Sequence, residues 1–464
     1  MTTKDPLQDT DMSQNADESQ RTRVDIDQIK EWLANFDPLM PADPEGAQYV
    51  NFADIGKNAG VSLRGDDHIQ QLLRGVTLND KSTCQLFSGF SGTGKSTELA
   101  RLKHHLEAAG YTVFLVDAKK YHDLVHPLTF EDLLLAATAA FGEQTTLLLG
   151  KDVFKESIFD RIAHLLQTEL NVDLARLSIG PANLQVGVRH AGSFWVELRE
   201  KLKQSPGSLI RNCHQFVREC VATIRKKDPT TRGVVLIFDE LEKIRGTTFN
   251  FQEIMESIIH SFSHSPASLF LPDSHVIFSI PPYVLATRSE LGGYYSANVL
   301  LPAVKVLERG TEIVPHPVGV QAMTELVARR VDVDQVFGER QDLLERLIIY
   351  SGGHVRTLIR FMRETLMRAS DEGFPPSDDD VDRVLDNFCS QIMVWYGTSR
   401  ILMEINRTGS IHTLDSDDVT RIASCMDSYI AICYISGEQK YELHPLIRRE
   451  VSRLALRETE REAA

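Results

Sequence analysis

The chain of 464 residues lacks the long apolar runs and the targeting segments that mark several large protein classes. No apolar stretch approaches the roughly 18 to 20 residues that a membrane-spanning helix needs. The N-terminus carries Asp5, Asp9, Asp11 and Asp17, and it resembles neither a signal peptide nor a transit peptide. We therefore expect no membrane partner and a cytoplasmic location.

The sequence also lacks closely spaced cysteine pairs and an excess of positive charge. The six cysteines include no CxxC pair and lie mostly in apolar segments, which indicates buried thiols of a reducing compartment and argues against a zinc or disulfide framework. The formal net charge of −15 at pH 7 argues against a protein whose main activity is to coat nucleic acid. Local basic surfaces are still compatible with this balance.

One complete motif is present. Residues 89–96 read Gly-Phe-Ser-Gly-Thr-Gly-Lys-Ser, the GxxxxGK[ST] pattern of a phosphate-binding loop, with an apolar strand before it and a helical apolar spacing after it. The glycines let backbone N–H groups turn towards phosphates, so Lys95 is predicted to reach the β and γ phosphates of ATP and Ser96 to bind Mg²⁺. The predicted nucleotide-binding residues are Gly89, Phe90, Ser91, Gly92, Thr93, Gly94, Lys95, Ser96 and Thr97.

A second apolar strand, predicted at 233–238, ends in Asp239 and Glu240. Two carboxylates at the carboxyl end of a buried strand suit a phosphate-loop site, with Asp239 orienting Mg²⁺ through water and Glu240 polarising the attacking water. An acidic pair that caps the next turn is the alternative interpretation. Together with residues 89–96, the pair predicts Mg²⁺-dependent hydrolysis of ATP, because a protein that only held nucleotide would not need Glu240.

The order of predicted elements indicates an α/β protein. Strands predicted at 84–88, 111–116, 233–238, 275–279 and 299–306 alternate with helical segments, as in a P-loop NTPase parallel sheet that binds its ligand at the carboxyl ends of the strands. We predict a disordered acidic tail (1–24), an ATPase domain (25–310) with a helical insertion at about 122–230, an α-helical lid (311–372) and a small α+β winged-helix-like domain (373–464). The insertion is too long for a loop, and its sequence is compatible with a hairpin around 177–188.

The last domain joins helices to a hairpin signal. The apolar segments 429–434 and 440–444 flank Ser436-Gly437-Glu438-Gln439, and helices followed by a hairpin fit a winged helix. From Asp380 to the end the chain has 14 acidic and 10 basic residues, whereas a strong duplex binder would present a basic face. The basic stretches 189–203 and 225–227, both in the insertion, are better candidates for contact with nucleic acid.

The phosphate loop, the Asp239-Glu240 pair, the strand that ends at Ser279 and the lid segment Gly352-Gly353-His354-Val355-Arg356 together resemble an AAA+ ATPase of the initiator and STAND type, over about residues 45–455. The resemblance implies that Ser279 occupies the sensor 1 position. It also implies that Arg356, as a sensor 2 residue, reaches the γ phosphate from the lid.

Two further implications of the resemblance concern the adenine and a neighbouring subunit. The segment from Leu63 to Ile69 resembles the N-terminal box that helps to contact adenine in this family. Arg288 lies near the place of a trans-acting arginine finger, and in that role it would make hydrolysis depend on self-association into a homo-oligomer. A surface arginine near the start of a helix is the alternative.

Two functions fit these features. The one that we favour is an ATP-driven switch or remodelling ATPase that acts on a protein partner. The alternative is a DNA-associated ATPase of the replication-initiator or transposition-helper type. A metabolic phosphotransferase fits poorly, because a lid arginine and a winged helix serve no small-molecule chemistry. The predicted catalytic residues are Lys95, Asp239, Glu240, Ser279 and Arg356, and the predicted Mg²⁺ ligands are Ser96 and Asp239.

Overall fold

The computed structural model describes residues 21–123, 125–150, 154, 156–170, 172, 199–247, 249–310, 312–391, 398–411 and 416–448. The α-helices in these ranges are α1 Ile26–Asn35, α2 Phe52–Asn58, α3 His68–Thr77, α4 Lys95–Ala108, α5 Phe130–Leu149, α6 Ile158–Thr168, α7 Pro206–Lys227, α8 Phe251–Ser263, α9 Pro282–Thr287, α10 Pro317–Ala328, α11 Val333–Phe337, α12 Gln341–Tyr350, α13 Val355–Glu372, α14 Asp378–Gln391, α15 Ser399–Thr408 and α16 Ser416–Asp427. The strands are β1 Thr83–Gly89, β2 Thr112–Asp117, β3 Val234–Asp239, β4 His275–Ile280, β5 Ala297–Leu301, β6 Ala431–Ser436 and β7 Glu438–Leu443.

Strands β1 to β5 form one parallel sheet in the order β2-β3-β4-β1-β5. This confirms the predicted α/β fold class with a parallel sheet. The register pairs Phe87 of β1 with Ser279 of β4, and Asp117 of β2 with Asp239 of β3. Because all five strands run the same way, the phosphate loop after β1 lies at the same edge of the sheet as Asp239 and Ser279.

The fifth strand ends earlier than predicted, at Leu301 instead of residue 306. Pro302 has no N–H group and cannot extend the ladder. The N–H groups of the next three residues, 303–305, instead donate hydrogen bonds to three regions of the chain: to the carbonyls of Cys433, Gly353 and Leu63, at 3.0, 3.0 and 2.9 Å. This segment therefore connects the sheet edge to the hairpin, the lid and the N-terminal region.

The described part of the predicted insertion is helical. Helices α5, α6 and α7 pack on one another, and α5 also covers β2, where Phe114 and Phe141 meet edge to face with ring centroids 5.5 Å apart. The predicted hairpin at 177–188 and most of the basic stretch 189–203 lie outside the described residues.

The N-terminal region packs with the lid. Residues 1–20 of the predicted disordered tail lie outside the described residues, but Thr22 exchanges two backbone hydrogen bonds with Phe374. In α1, Ile29 and Trp32 are buried in the apolar core formed by the lid helices α10 to α13 and by α14, which the sequence predicted to be part of the next domain. Trp32 meets Phe374 edge to face at 5.5 Å. Helix α1, which the sequence suggested to be part of the ATPase domain, thus shares its core with the lid.

The C-terminal region docks on the sheet layer. Buried apolar residues of α15, α16 and the β6–β7 hairpin are continuous with the core that covers the sheet, and α16 packs against α9. The hairpin turn is tighter than predicted, since Ser436 pairs with Glu438 around Gly437, which has a φ of 78°. The winged-helix assignment stays a prediction.

Two general expectations can be compared with the described residues. Within them, no helix combines the length and apolar character that a bilayer crossing requires. None of the six cysteines forms a disulfide and five are buried, so that burial raises the pKa of Cys213, for example, to about 12.

Candidate nucleotide-binding site

The loop between β1 and α4 has the curled backbone that its glycines allow. Gly92 and Gly94 have φ values of 94° and 100°, in the left-handed region that favours glycine. A Cβ atom at Gly92 would lie 2.7 Å from the Cβ atom of Arg356 and 2.8 Å from the imidazole of His354. Helix α4 begins at Lys95, so the positive end of its dipole faces the loop. The loop is therefore shaped for an anion, and the lid lies directly on it.

Lys95 is buried, and its ammonium group already has three partners. Its ammonium group donates to the carbonyls of Gly89 and Phe90, at 2.7 and 3.1 Å, and forms an ion pair with Glu242 at 3.0 Å. The Lys95 side chain thus lies within the loop, as its position in the motif predicts. Its ammonium group contacts the carboxylate of Glu242, whereas the sequence predicted contact with a phosphate.

Ser96 and Asp239 lie together, as predicted for a Mg²⁺ site. The Ser96 hydroxyl forms a hydrogen bond with the Asp239 carboxylate. Burial raises the pKa of Asp239 to about 6, helped by the negative charge of Glu242, and the Ser96 hydroxyl partly offsets this. A hydroxyl and a carboxylate are hard oxygen ligands, which fit Mg²⁺. In the described residues no group of three or more His, Cys, Asp and Glu side chains could hold a metal by itself, so substrate phosphate and water would have to complete such a site.

Glu240 has a strained backbone and two cationic partners. Its φ of 74° is unusual for a residue with a side chain. Its N–H donates to Asp239 Oδ1 at 2.7 Å, and its carboxylate forms ion pairs with Lys119, just after β2, and with Lys243. These two lysines outweigh the effect of burial and hold the pKa of Glu240 below its usual value. The predicted catalytic carboxylate therefore borders the cleft, where it is paired with these two lysines and does not contact Lys95.

Glu242 was missed by sequence reasoning. It is 5% exposed, and its two carboxylate oxygens contact Lys95 at 3.0 Å and the Ser279 hydroxyl at 2.6 Å. Burial alone would raise its pKa, but Lys95 and Ser279 hold the pKa below its usual value. The only sequence signal for Glu242 is that it is a third acidic residue, three positions after Asp239 at the end of β3. The Glu242 carboxylate therefore links Ser279, the predicted sensor 1 residue, to Lys95.

The lid reaches the loop through two side chains. Arg356 donates from Nη1 to the Ser91 hydroxyl and from Nε to the Pro38 carbonyl, both at 3.0 Å. His354 accepts the backbone N–H of Thr357 at Nδ1, so that Nε2 carries the proton and donates to the Ser91 carbonyl at 2.9 Å. Burial lowers the pKa of His354 to about 3, which keeps the imidazole neutral. Arg356 is thus placed on the phosphate loop, next to the predicted site of the γ phosphate.

The C-terminal region touches the same loop. Tyr429 forms a side-chain hydrogen bond with Ser91, and its ring lies 4.2 Å from that of His354 and 6.4 Å from that of Phe90, measured between centroids. Nearby, Arg245, after β3, pairs with Asp427 of α16 at 3.0 Å. No sequence pattern predicts these contacts, because nothing local marks which surface a terminal domain will cover.

A cleft of about 900 Å³, including the solvent at its mouth, extends from the phosphate loop between the N-terminal region and the lid. Its far end is mainly apolar. Residues from both walls form this end: Pro38, Leu39, Met40, Tyr49, Val50 and Phe52 from the N-terminal region, and Leu326, Val355 and Ile359 from the lid. An apolar slot of this kind beside a phosphate loop suits a planar base.

The predicted N-terminal box supports the loop directly. Arg64 is buried, stacks over the Phe52 ring at 4.7 Å and donates to the Thr93 carbonyl at 2.8 Å. It therefore ties the phosphate loop to the apolar end of the cleft. Its role in contacting a base stays a prediction.

Arg288 lies away from this cleft. It follows α9, its side chain is 50% exposed, and it forms a loose ion pair with Glu290 at 3.5 Å. It is therefore at the surface, where both a finger that reaches a neighbouring subunit and an ordinary surface arginine could lie.

No protein-family model matches the chain, and no curated protein matches it. Among solved structures, it is similar to Drosophila ORC bound to DNA, with 11% sequence identity, a TM-score of 0.37, and coverage of 94% of this chain and 92% of that chain. It is also similar to the Aeropyrum pernix ORC2 protein in its ADP form, with 10% identity, a TM-score of 0.36, and coverage of 92% and 98%. These TM-scores reflect a loose likeness, so the interpretation of the site rests on the chain's own residues.

Proposed function

We propose that this chain is an AAA+-like switch ATPase. It binds ATP with Mg²⁺ in the cleft, hydrolyses it, and changes the packing of its lid and C-terminal region for a protein partner to read. The observation that carries the proposal is the crowding of Ser91. This one loop residue is bound by His354 and Arg356 of the lid and by Tyr429 of the C-terminal region.

Such an arrangement couples ligand to conformation. A phosphate group in the loop must share space and hydrogen-bond donors with the side chains that meet at Ser91. A ligand shifts the equilibrium between two conformations only by the difference between its binding free energies for them. In this protein the contacts that would differ between the two conformations lie at the phosphate loop itself. ATP and ADP differ by the phosphate that would lie nearest Arg356, so they should favour different positions of the lid.

Each predicted site residue has a place in this function. Lys95 and the loop N–H groups would bind phosphate, while Ser96 and Asp239 would hold Mg²⁺, which neutralises phosphate charge. Glu240 would orient the attacking water and accept its proton, which requires it to leave at least one of its two lysines. Ser279 and Arg356 would contact the γ phosphate.

The test compares nucleotide states of the full chain. We expect ATP hydrolysis that requires Mg²⁺, and a pattern of limited proteolysis in the lid and C-terminal region that differs between ADP and a non-hydrolysable ATP analogue. Hydrolysis of ATP without any difference in proteolysis between the two nucleotide states would show that the protein is an ATPase but not a switch.

A DNA-associated ATPase is the second candidate. Drosophila ORC, which the chain loosely resembles, was solved bound to DNA, and one observation on this chain favours contact with DNA: Arg225, Lys226 and Lys227 are all exposed at the end of α7. Against it, the hairpin turn presents Glu438, which pairs with Lys440 at 2.7 Å. Stimulation of hydrolysis by duplex DNA, lost when residues 225–227 are changed to Glu, would make this candidate the leading one.

A further inference from the structure

We propose that Glu242 occupies the phosphate subsite of the nucleotide-free protein, and that an incoming nucleotide binds by displacing its carboxylate from Lys95 and Ser279. This inference rests on the proposed function, because it assumes that the loop binds nucleotide.

All the hydrogen-bond donors of the Lys95 ammonium group are already in use. A lysine ammonium group has three N–H donors. In Lys95 they are directed to the carbonyls of Gly89 and Phe90 and to the carboxylate of Glu242, at 2.7, 3.1 and 3.0 Å. No donor is left for a phosphate, so one of the three partners must leave when nucleotide binds.

Glu242 is the partner of Lys95 that can leave. The two carbonyls belong to the loop backbone and are fixed by its fold, whereas Glu242 is held by its side chain alone. A phosphate in contact with Lys95 would lie within a few ångströms of the Glu242 carboxylate. Two negative groups at that distance repel strongly in a buried site, so nucleotide and Glu242 exclude each other.

Displacement of Glu242 also releases Ser279. The other oxygen of Glu242 accepts a hydrogen bond from Ser279 at 2.6 Å. When Glu242 leaves, Lys95 becomes available to the phosphates nearest the loop and Ser279 to the γ phosphate of ATP. A single side-chain movement would thus convert a closed ion pair into a site with two donors for the ligand.

Glu240, two residues earlier, makes a useful contrast. Its carboxylate is held by Lys119 and Lys243 and does not touch Lys95. Replacing it with Gln removes the same charge from the same short turn without opening the phosphate subsite. That change would, however, free two lysines beside the cleft, so the control for loss of one negative charge is Glu253, an exposed residue of α8 outside the cleft lining.

The experiment measures affinity for ADP and for inorganic pyrophosphate by calorimetry on the full chain. Glu242→Gln should bind both ligands about tenfold or more tightly than wild type, since the free protein loses a buried ion pair and the complex loses a repulsion. The nucleotide-free variant should also melt at a lower temperature than wild type, and its melting temperature should rise more on addition of ADP. Glu253→Gln should leave both affinities near those of wild type.

A second variant protects the test if Glu242→Gln does not fold. Ser279→Ala removes one anchor of the Glu242 carboxylate. Because ADP lacks the γ phosphate that Ser279 would contact, the variant should strengthen binding of ADP about two- to threefold. ADP affinity that is unchanged or weaker in both variants, with wild type binding ADP normally, would overturn the inference alone. Wild-type protein that binds neither ligand, with Glu242→Gln equally inactive, would overturn the proposed function as well.

Discussion

The two ends of the nucleotide cleft are built in opposite ways. At the phosphate end the polar groups are buried and already bound to one another, as the Lys95 and Glu242 pair shows. At the base end the lining is largely apolar, and Leu39 and Met40 are 82% and 70% exposed. A ligand must therefore exchange existing contacts at one end, while at the other it covers a surface that is open to water.

This difference determines what each end can contribute. Exchange of one ionic contact for another yields a modest net free energy but a strong preference for the correct charge and shape. Covering apolar surface contributes about 25 cal/mol per Å² with little selectivity. We therefore expect the phosphate end to govern which ligand binds and how the lid responds, and the base end to add affinity.

The largest expected effect is at Lys95. Lys95→Ala should weaken both ADP and pyrophosphate by about 100-fold or more, since charge-assisted hydrogen bonds contribute about 1.5 to 3 kcal/mol each. Lys57→Ala, at an exposed site on α2, is the control and should bind like wild type. Calorimetry on both proteins measures the effect. Near-normal pyrophosphate binding by Lys95→Ala would show that the phosphate end has been misassigned.

Glu240→Gln should separate binding from chemistry. We expect turnover of ATP to fall by about 100-fold, in the range of a lost general base, with ADP affinity unchanged. Steady-state hydrolysis and calorimetry on the same preparation provide the two measurements. If turnover stays normal, the base must be sought elsewhere in the cleft.

Arg356 bridges the two ends, because it binds both Ser91 and the Pro38 carbonyl. Arg356→Ala should lower ATP hydrolysis about tenfold and weaken ADP only about two- to threefold, since ADP lacks the phosphate nearest the guanidinium. Arg360→Ala, one turn further along α13 and partly exposed, is the matched control. Equal losses for ATP and ADP would instead mark Arg356 as a structural residue of the lid.

The smallest effect is expected at the base end. Met40→Ala should weaken ADP by about three- to tenfold, at about 0.8 kcal/mol per buried methylene, and should leave pyrophosphate unchanged because that probe carries no base. Met367→Ala removes another exposed methionine far from the cleft and should change neither ligand. A parallel loss of pyrophosphate binding would mean that the two ends are not independent.

The same contrast explains how much of the site could be predicted from the sequence. The loop and the predicted Mg²⁺ ligands each carry a local sequence signal: residues 89–96 are contiguous and include Ser96, and Asp239 ends a strand that the apolar pattern marks clearly. The base end combines residues near 40 with Leu326 and Ile359, which only the packing of α1 and the lid brings together. Likewise, the spacing of Glu240 and Glu242 cannot indicate which carboxylate turns inward, since a positive φ at Glu240 decides it.

The segment after β5 has a consequence for how this protein can move. Residues 303–305 hold the hairpin, the lid and the N-terminal region by one backbone hydrogen bond each. One such bond contributes only about 1 kcal/mol, a small part of the roughly 5 to 15 kcal/mol that keeps a domain folded. Apolar packing therefore holds this segment more strongly than its hydrogen bonds do: Ala303 is buried with Ile432 and Tyr434 of the hairpin, and Val304 lies in the core that the lid shares with the N-terminal region. A region that left the segment would expose that apolar surface to water. We therefore expect the three regions to stay attached here, so that any rearrangement turns about this segment.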